Sequence, residues 1–202
     1  MSLLNTITME QLATRIAAML VYVALQGAIL AALARVLGDQ RPRYDGRLTL
    51  NPFVHIAISG FAMAALFRSG WIRPLRFDVA ANRFGRLGLV LIAVVGVLLM
   101  LAVIALSDLL SAPVEALLPR TAGYSVLYII QQFQELATAS TLLNILPLPG
   151  LIGGILWQAA FPAAERRLER LAPMVMAGLC ILLILGWVPN FTSALLDHLR
   201  LI

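Results

Sequence analysis

The chain has 202 residues, 61% of them hydrophobic and 12% charged, with a net charge of +5 and a mean hydropathy of +0.91. A soluble domain carries about 25% charge and 45–50% apolar residues, so this composition excludes an ordinary water-soluble globule and predicts an all-α integral membrane protein. The lone Cys180 excludes a disulfide framework, and every basic residue is an arginine set in loops between apolar runs, which argues against nucleic acid as a partner.

Spans of about 20 residues use up the length, so residues 1–202 read as a single membrane domain: a polytopic helical bundle with about four full spans. Residues 1–11 are polar and lack the charged start and small-residue cleavage site of a signal peptide. The first long apolar run is 12–37, interrupted only by Arg15, Gln26 and Arg35. The stretch 38–51 is the most polar of the chain and reads as a loop, punctuated by Gly38, Pro42 and Gly46. The following apolar segment, 53–67, is short for a span, a length typical of re-entrant or interfacial segments. A second basic loop, 68–86, offers Trp71 and Phe77 as interface anchors.

Residues 87–106 form the cleanest span, without an ionisable group. A loop at 107–123 leads to a span over 124–148 with a polar middle that includes Gln131, Gln132, Gln134, Glu135 and Asn144. Pro147 to Gly154 breaks it. Residues 155–161 suggest a half-helix and 163–171 a charged, exposed helix end. The last span, 173–190, leads into an amphipathic tail. The loops 35–86 and 163–171 hold twelve of the fifteen arginines. The excess of basic residues in cytoplasmic loops therefore places these loops inside and both termini outside, with 53–67 entering and leaving from the cytoplasmic face. An arginine-only basic set points to a bacterial inner membrane.

Three stretches carry a family resemblance. Leu37-Gly38-Asp39, followed by Gly46-Arg47-Leu48-Thr49-Leu50-Asn51-Pro52-Phe53-Val54-His55-Ile56, resembles the "LGD … GRLTLNPxxHID" segment of compact bacterial site-2 proteases, the intramembrane zinc metalloproteases. Asn144-Ile145-Leu146-Pro147-Leu148-Pro149-Gly150-Leu151-Ile152-Gly153 is similar to their "NLLPIPPLDG", and Gly70-Trp71-Ile72-Arg73-Pro74 to their "GWxKP" turn. The resemblance runs from about 20 to 160 in the family's order, and it implies a site-2-protease-like core with short irregular or β-hairpin segments between helices.

The resemblance fails where the chemistry should lie. By the family's spacing before Gly38, its HExxH motif falls on Gln26-Gly27-Ala28-Ile29-Leu30. Gln26 and Leu30 stand for the two histidine ligands, Gly27 for the general base, and Ile152 for the aspartate of "LDG". A catalytic zinc needs three imidazole, thiolate or carboxylate ligands and an open water position, and that water must be activated for attack. Gln, Gly, Leu and Ile supply none of this, so the sequence predicts no zinc, no other cofactor and no peptidase activity. Near Ala93 to Val97 the family's "AGPxxN" is also lost, which predicts a cleft closed into packed aliphatics.

The remaining polar residues receive plainer readings. His55 is expected to be a hydrogen-bonded structural residue. Gln26 is expected to make an interhelical hydrogen bond, worth roughly 0.5–2 kcal/mol. Glu135, with Gln131 and Gln134 at helical spacing, is an intramembrane carboxyl and so raises a functional hypothesis; a packed, hydrogen-bonded carboxyl is favoured over a proton relay. Asn144, Pro147, Pro149 and Gly153 are candidates for holding a peptide or partner helix by main-chain pairing. Arg41, Arg43, Arg47, Arg73, Arg76, Arg83 and Arg86 form a basic cytoplasmic face suited to anionic lipid heads or an acidic partner. The expected function is that of a catalytically inactive, structural or accessory subunit of a larger membrane complex, a bioenergetic one among the options. Its partners would be other integral membrane subunits and lipids. The alternatives are a non-cleaving regulator or chaperone of transmembrane peptides, and Glu135-centred proton or ion transport.

Overall fold

The first helix, α1 (Met9–Val36), starts at a cap: the Thr8 side chain accepts from Gln11 N, and Glu10 in the first turn complements the helix dipole. It ends where Gly38 adopts φ +104° and Asp39 N donates to Ala34 O at 2.9 Å, a Schellman closure that only glycine enters without strain. The computed structural model describes residues 8–187. The expected amphipathic tail and the end of the 173–190 span lie outside these residues.

A short helix α2 (Arg41–Tyr44) and a 3-10 turn at Pro52–Val54 lead to α3 (Ile58–Phe67). Then come α4 (Gly85–Ser107), a 3-10 turn at Asp108–Leu110 and α5 (Ser111–Leu117). Next are α6 (Arg120–Ile145), α7 (Gly154–Ala160) and α8 (Glu165–Ile184). The described residues are all-helical. The expected β-hairpin between helices is reduced to one isolated antiparallel bridge, Ile56 with Ile72.

Two stretches, Met9–Val36 and Gly85–Leu117, are long and apolar enough to cross a membrane. At 1.5 Å per residue, α1 is about 42 Å long. Helix α6 matches it in length with 26 residues, but its polar middle lowers its hydropathy. It begins at Arg120, inside the stretch read as a loop, and it stops at Leu146, where the following Pro147 disfavours helical geometry. The charged segment 163–171 and the last apolar run are not separate: both belong to α8, which carries Pro173 in its interior.

Helix α1 is the hub and packs against α3, α4 and α6. Its buried Met19, Tyr22, Val23 and Leu30 share a core with Leu89, Ile92 and Met100 of α4 and Leu136 of α6. A smaller core holds Met63, Trp71, Leu143 and Leu179 beneath α8. Trp71 and Phe77, expected as interface anchors, are only 2% and 5% exposed; Trp71 is buried because its segment folds back onto α3 at Gly60, and Phe77 belongs to the main core. The exposed tryptophans are Trp157 and Trp187.

Residues 52–74 form a tight hairpin. The chain rises through α3 and turns at Arg68, which takes φ 59°. On the return, Arg73 N donates to His55 O at 2.7 Å. Side chains at Gly60 and Gly70 would overlap the opposing limb, so both glycines are needed for backbone to lie on backbone. The segment therefore returns to the level at which it entered, about 18 Å of α1 having been covered between Gly27 and Arg15 at 1.5 Å per residue.

Candidate functional site

The positions singled out on α1 line up along its buried face. Gln26 is fully buried, and its Nε2 donates to Gly96 O on α4 at 3.4 Å. This is the interhelical bond expected of it. A side chain at Gly27 would overlap the imidazole of His55, which occupies the space beside the glycine. His55 is itself fully buried, and its Nε2 faces Thr49 O at 3.0 Å. A carbonyl only accepts, so Nε2 carries the proton and Nδ1 is left without a partner among the described residues. Leu30 packs over Gly96, where a side chain would overlap it.

Leu30 and Ile152 are more than a hundred residues apart in sequence, yet they belong to the same core and line the same cavity. That cavity measures about 980 Å³. Its floor is aliphatic, from Leu30, Ile72, Leu75, Ile152 and Ile155, and Pro149 and Gly150 form part of its wall. Its rim is charged, with Arg73 and Arg76 on one side and Arg166, Glu169 and Arg170 on the other. The two arginine-rich stretches of the sequence thus meet around one opening. The expected closure is half met: α1 and α4 are packed tight at Gln26–Gly96, and the space beyond Leu30 is open. Among the described residues no three His, Cys, Asp or Glu side chains gather as a metal centre would need.

Asn144 is fully buried and spends its amide internally. Its Nδ2 donates to Ser140 O at 2.7 Å, Gly70 O at 3.0 Å and Tyr22 Oη at 3.2 Å. It ties α6 to α1 and to the return limb of the hairpin, and a docking role would require breaking those bonds. The loop beyond is wound on itself. Gly153 N donates to Asn144 O at 2.8 Å, and a side chain at Gly153 would overlap the carbonyls of Ile145 and Leu146. Pro147 O accepts from Trp157 Nε1 at 2.6 Å. Pro149 alone of these four candidates faces the cavity.

Glu135 has a partner that the sequence did not indicate. Arg68 Nη1 lies 3.1 Å from Glu135 Oε2, and Gln131 Nε2 donates to Oε1 at 3.4 Å. The left-handed turn at Arg68 aims its side chain across to α6. Arg15 is buried and donates to Ala65 O and Leu66 O, both at 3.2 Å, placing a cation on the carbonyls at the C-terminus of α3.

The basic face is uneven. Arg41, Arg43, Arg73, Arg76, Arg83 and Arg86 are exposed, but Arg47 is only 7% exposed and does not belong to it. Arg47 donates to Val54 O and to Pro74 O and so clamps the two limbs of the hairpin. Burial lowers its pKa from the usual arginine value; the Arg73 charge adds to that and Asp45 opposes it. Arg41 donates to Phe77 O at 3.3 Å and pairs with Asp78 at 3.7 Å. Asp39, the acid of the "LGD" segment, is fully buried and organises this loop. Its carboxylate accepts from Arg41 N at 2.9 Å and Asp78 N at 2.7 Å.

Compared with protein-family models, curated proteins and solved structures, the chain matches none.

Proposed function

We propose that this chain is a polytopic membrane protein with α1, α4, α6 and α8 as full spans and the hairpin around α3 as a re-entrant segment. On this reading it serves as a non-catalytic structural or accessory subunit of a larger membrane complex. The meeting of both arginine-rich stretches at one cavity supports a single cytoplasmic face. A degenerate site-2-protease-like plan is supported by two features at the positions where that family holds its metal and base. Leu30 and Ile152 share the cavity floor, and His55 fills the space over Gly27.

The observation that carries the accessory-subunit reading is the Arg68–Glu135 pair. Its side chains are 46% and 25% exposed, yet Glu135 lies within about 4 Å of the midpoint of α6 along its axis, at 1.5 Å per residue. A charge pair left facing hydrocarbon at that depth is costly, and a neighbouring helix that covers it removes the cost. Exposed Leu87, Leu91, Val94 and Leu98 form a stripe along α4, and Met174, Ile181 and Leu185 one along α8. These stripes offer apolar surface for the same kind of neighbour.

Gentle detergent extraction of the tagged chain from its native membrane, followed by native mass measurement, tests the proposal. A fixed-ratio assembly with other membrane subunits is the expected result. A free monomer, or a substoichiometric spread of single-span clients, overturns it. The second outcome would favour a non-cleaving binder of transmembrane peptides, a reading that the cavity wall at Pro149 to Ile155 also supports.

A further inference from the structure

We propose that the cavity between the hairpin's return limb and the start of α8 is a binding site for an anionic phospholipid. Its arginines would hold the phosphate-bearing headgroup and its aliphatic floor the upper part of one acyl chain. The inference rests on the membrane reading of the chain but not on its being a subunit of a complex.

Three features point to this occupant. The first is chemical division. Leu30, Ile72, Ile152 and Ile155 make a floor with nothing to offer a polar ligand. Guanidinium groups dominate the rim, and planar N–H forks suit phosphate oxygens. A free anion would leave the floor wet, and an apolar ligand would leave the arginines unused; a molecule with an anionic head and an alkyl tail satisfies both. The second is charge. Arg73, Arg76, Arg166 and Arg170 line the rim, against Glu169 and Asp45. An ion pair across it, Arg76 to Glu169 at 3.7 Å, is 75% and 48% exposed on its two sides. A pair that open to water is weak and yields readily to a phosphate.

The third feature is position. Helix α7 supplies Ile155 and Gln158 to the cavity and carries the exposed Trp157 beside it. The Trp157 ring lies 5.4 Å from that of Phe161, which is also exposed. Exposed aromatic rings favour the headgroup level of a bilayer, which sets the mouth of the cavity where lipid phosphates lie. A volume of about 980 Å³ accommodates a headgroup and part of a chain, and the remaining acyl carbons extend into the bilayer.

The test is lipid retention by the full chain in detergent, read by native mass spectrometry during titration with phosphatidylglycerol or phosphatidylcholine of the same acyl chains. The expected result is one retained phosphatidylglycerol per chain, in preference to phosphatidylcholine. The double variant Arg166→Gln/Arg170→Gln should weaken phosphatidylglycerol by about tenfold or more and leave phosphatidylcholine unchanged. Gln158→Trp, which fills the cavity without removing charge, should also lose the bound lipid. Equal retention of the two lipids, or unchanged phosphatidylglycerol binding in both variants, overturns the proposal. Complete displacement by millimolar inorganic phosphate would show a free-anion site instead. An acidic peptide recovered from the cavity would show a protein-docking site, and both results overturn the lipid assignment. None of these outcomes alters the stoichiometry of a co-purified complex, so the two proposals fail independently.

Discussion

At Gly27 the side chain of His55 packs directly on the backbone of α1, in the buried polar centre of the protein. The imidazole occupies the volume that any Cβ at position 27 would need. Gly27→Ala should therefore destabilise the protein by about 1–3 kcal/mol, the usual cost of overpacking. The same change in a His55→Ala background should cost much less, because the ring that clashes is gone. Thermal unfolding of the four proteins in detergent checks this, and equal costs in both backgrounds would refute the packing account. Asn144 makes a different demand. Its two N–H donors are shared among two carbonyls and a hydroxyl on three segments, so Asn144→Leu should cost about 1–3 kcal/mol by leaving buried acceptors unpaired. A loss well below that in the same melt would free Asn144 for the docking role.

The hairpin at 52–74 is held at both ends. At its base, Arg47 bridges Val54 and Pro74 and Arg73 pairs with His55; at its tip, Arg15 sits on the last carbonyls of α3. On the proposed re-entrant reading, a segment closed this way enters and leaves on one side. In a Cys180→Ser background, single cysteines at the exposed Phe53 and Arg76 should react with a membrane-impermeant maleimide from the same face of the vesicle. Labelling from opposite faces would make 53–67 a span. The tip also meets α6 through Arg68 and Glu135. Glu135→Gln should leave the Arg68 cation unpaired at that depth and so reduce retention of a partner helix in the extracted complex. A lost ion flux with partner retention intact would move the weight to transport.

At the scale of the whole molecule, the resemblance to an intramembrane metalloprotease becomes a geometric claim. If α1 and the 144–154 loop are arranged as in that family, Gln26→His, Leu30→His and Ile152→Asp together should create a zinc site without touching Gly27. The expected outcome is one zinc per folded chain in a titration followed by metal analysis. A folded triple variant that takes up no zinc would remove the protease-like plan.

Much of the molecule's plan was already legible in the chain. Apolar runs set α1 and α4, Gly38 and Pro147 marked helix ends, and the residue types at 26, 27, 30 and 152 carried the expectation that no zinc hydrolase is assembled there. These are local properties of composition, spacing and donor type, which do not depend on what the chain packs against. Only the tertiary structure decided the rest. It buried Trp71 and Arg47 because the hairpin folds back on itself, and it buried Phe77 where the following loop is tied to Asp39 and Arg41. It paired Glu135 with Arg68 across 67 positions, and it joined the return limb carrying Arg73 and the start of α8 carrying Arg166 into the rim of one cavity. Such contacts arise from backbone closure between distant segments, and the arginine that clamps a carbonyl reads, residue by residue, like the arginine that waits for a ligand.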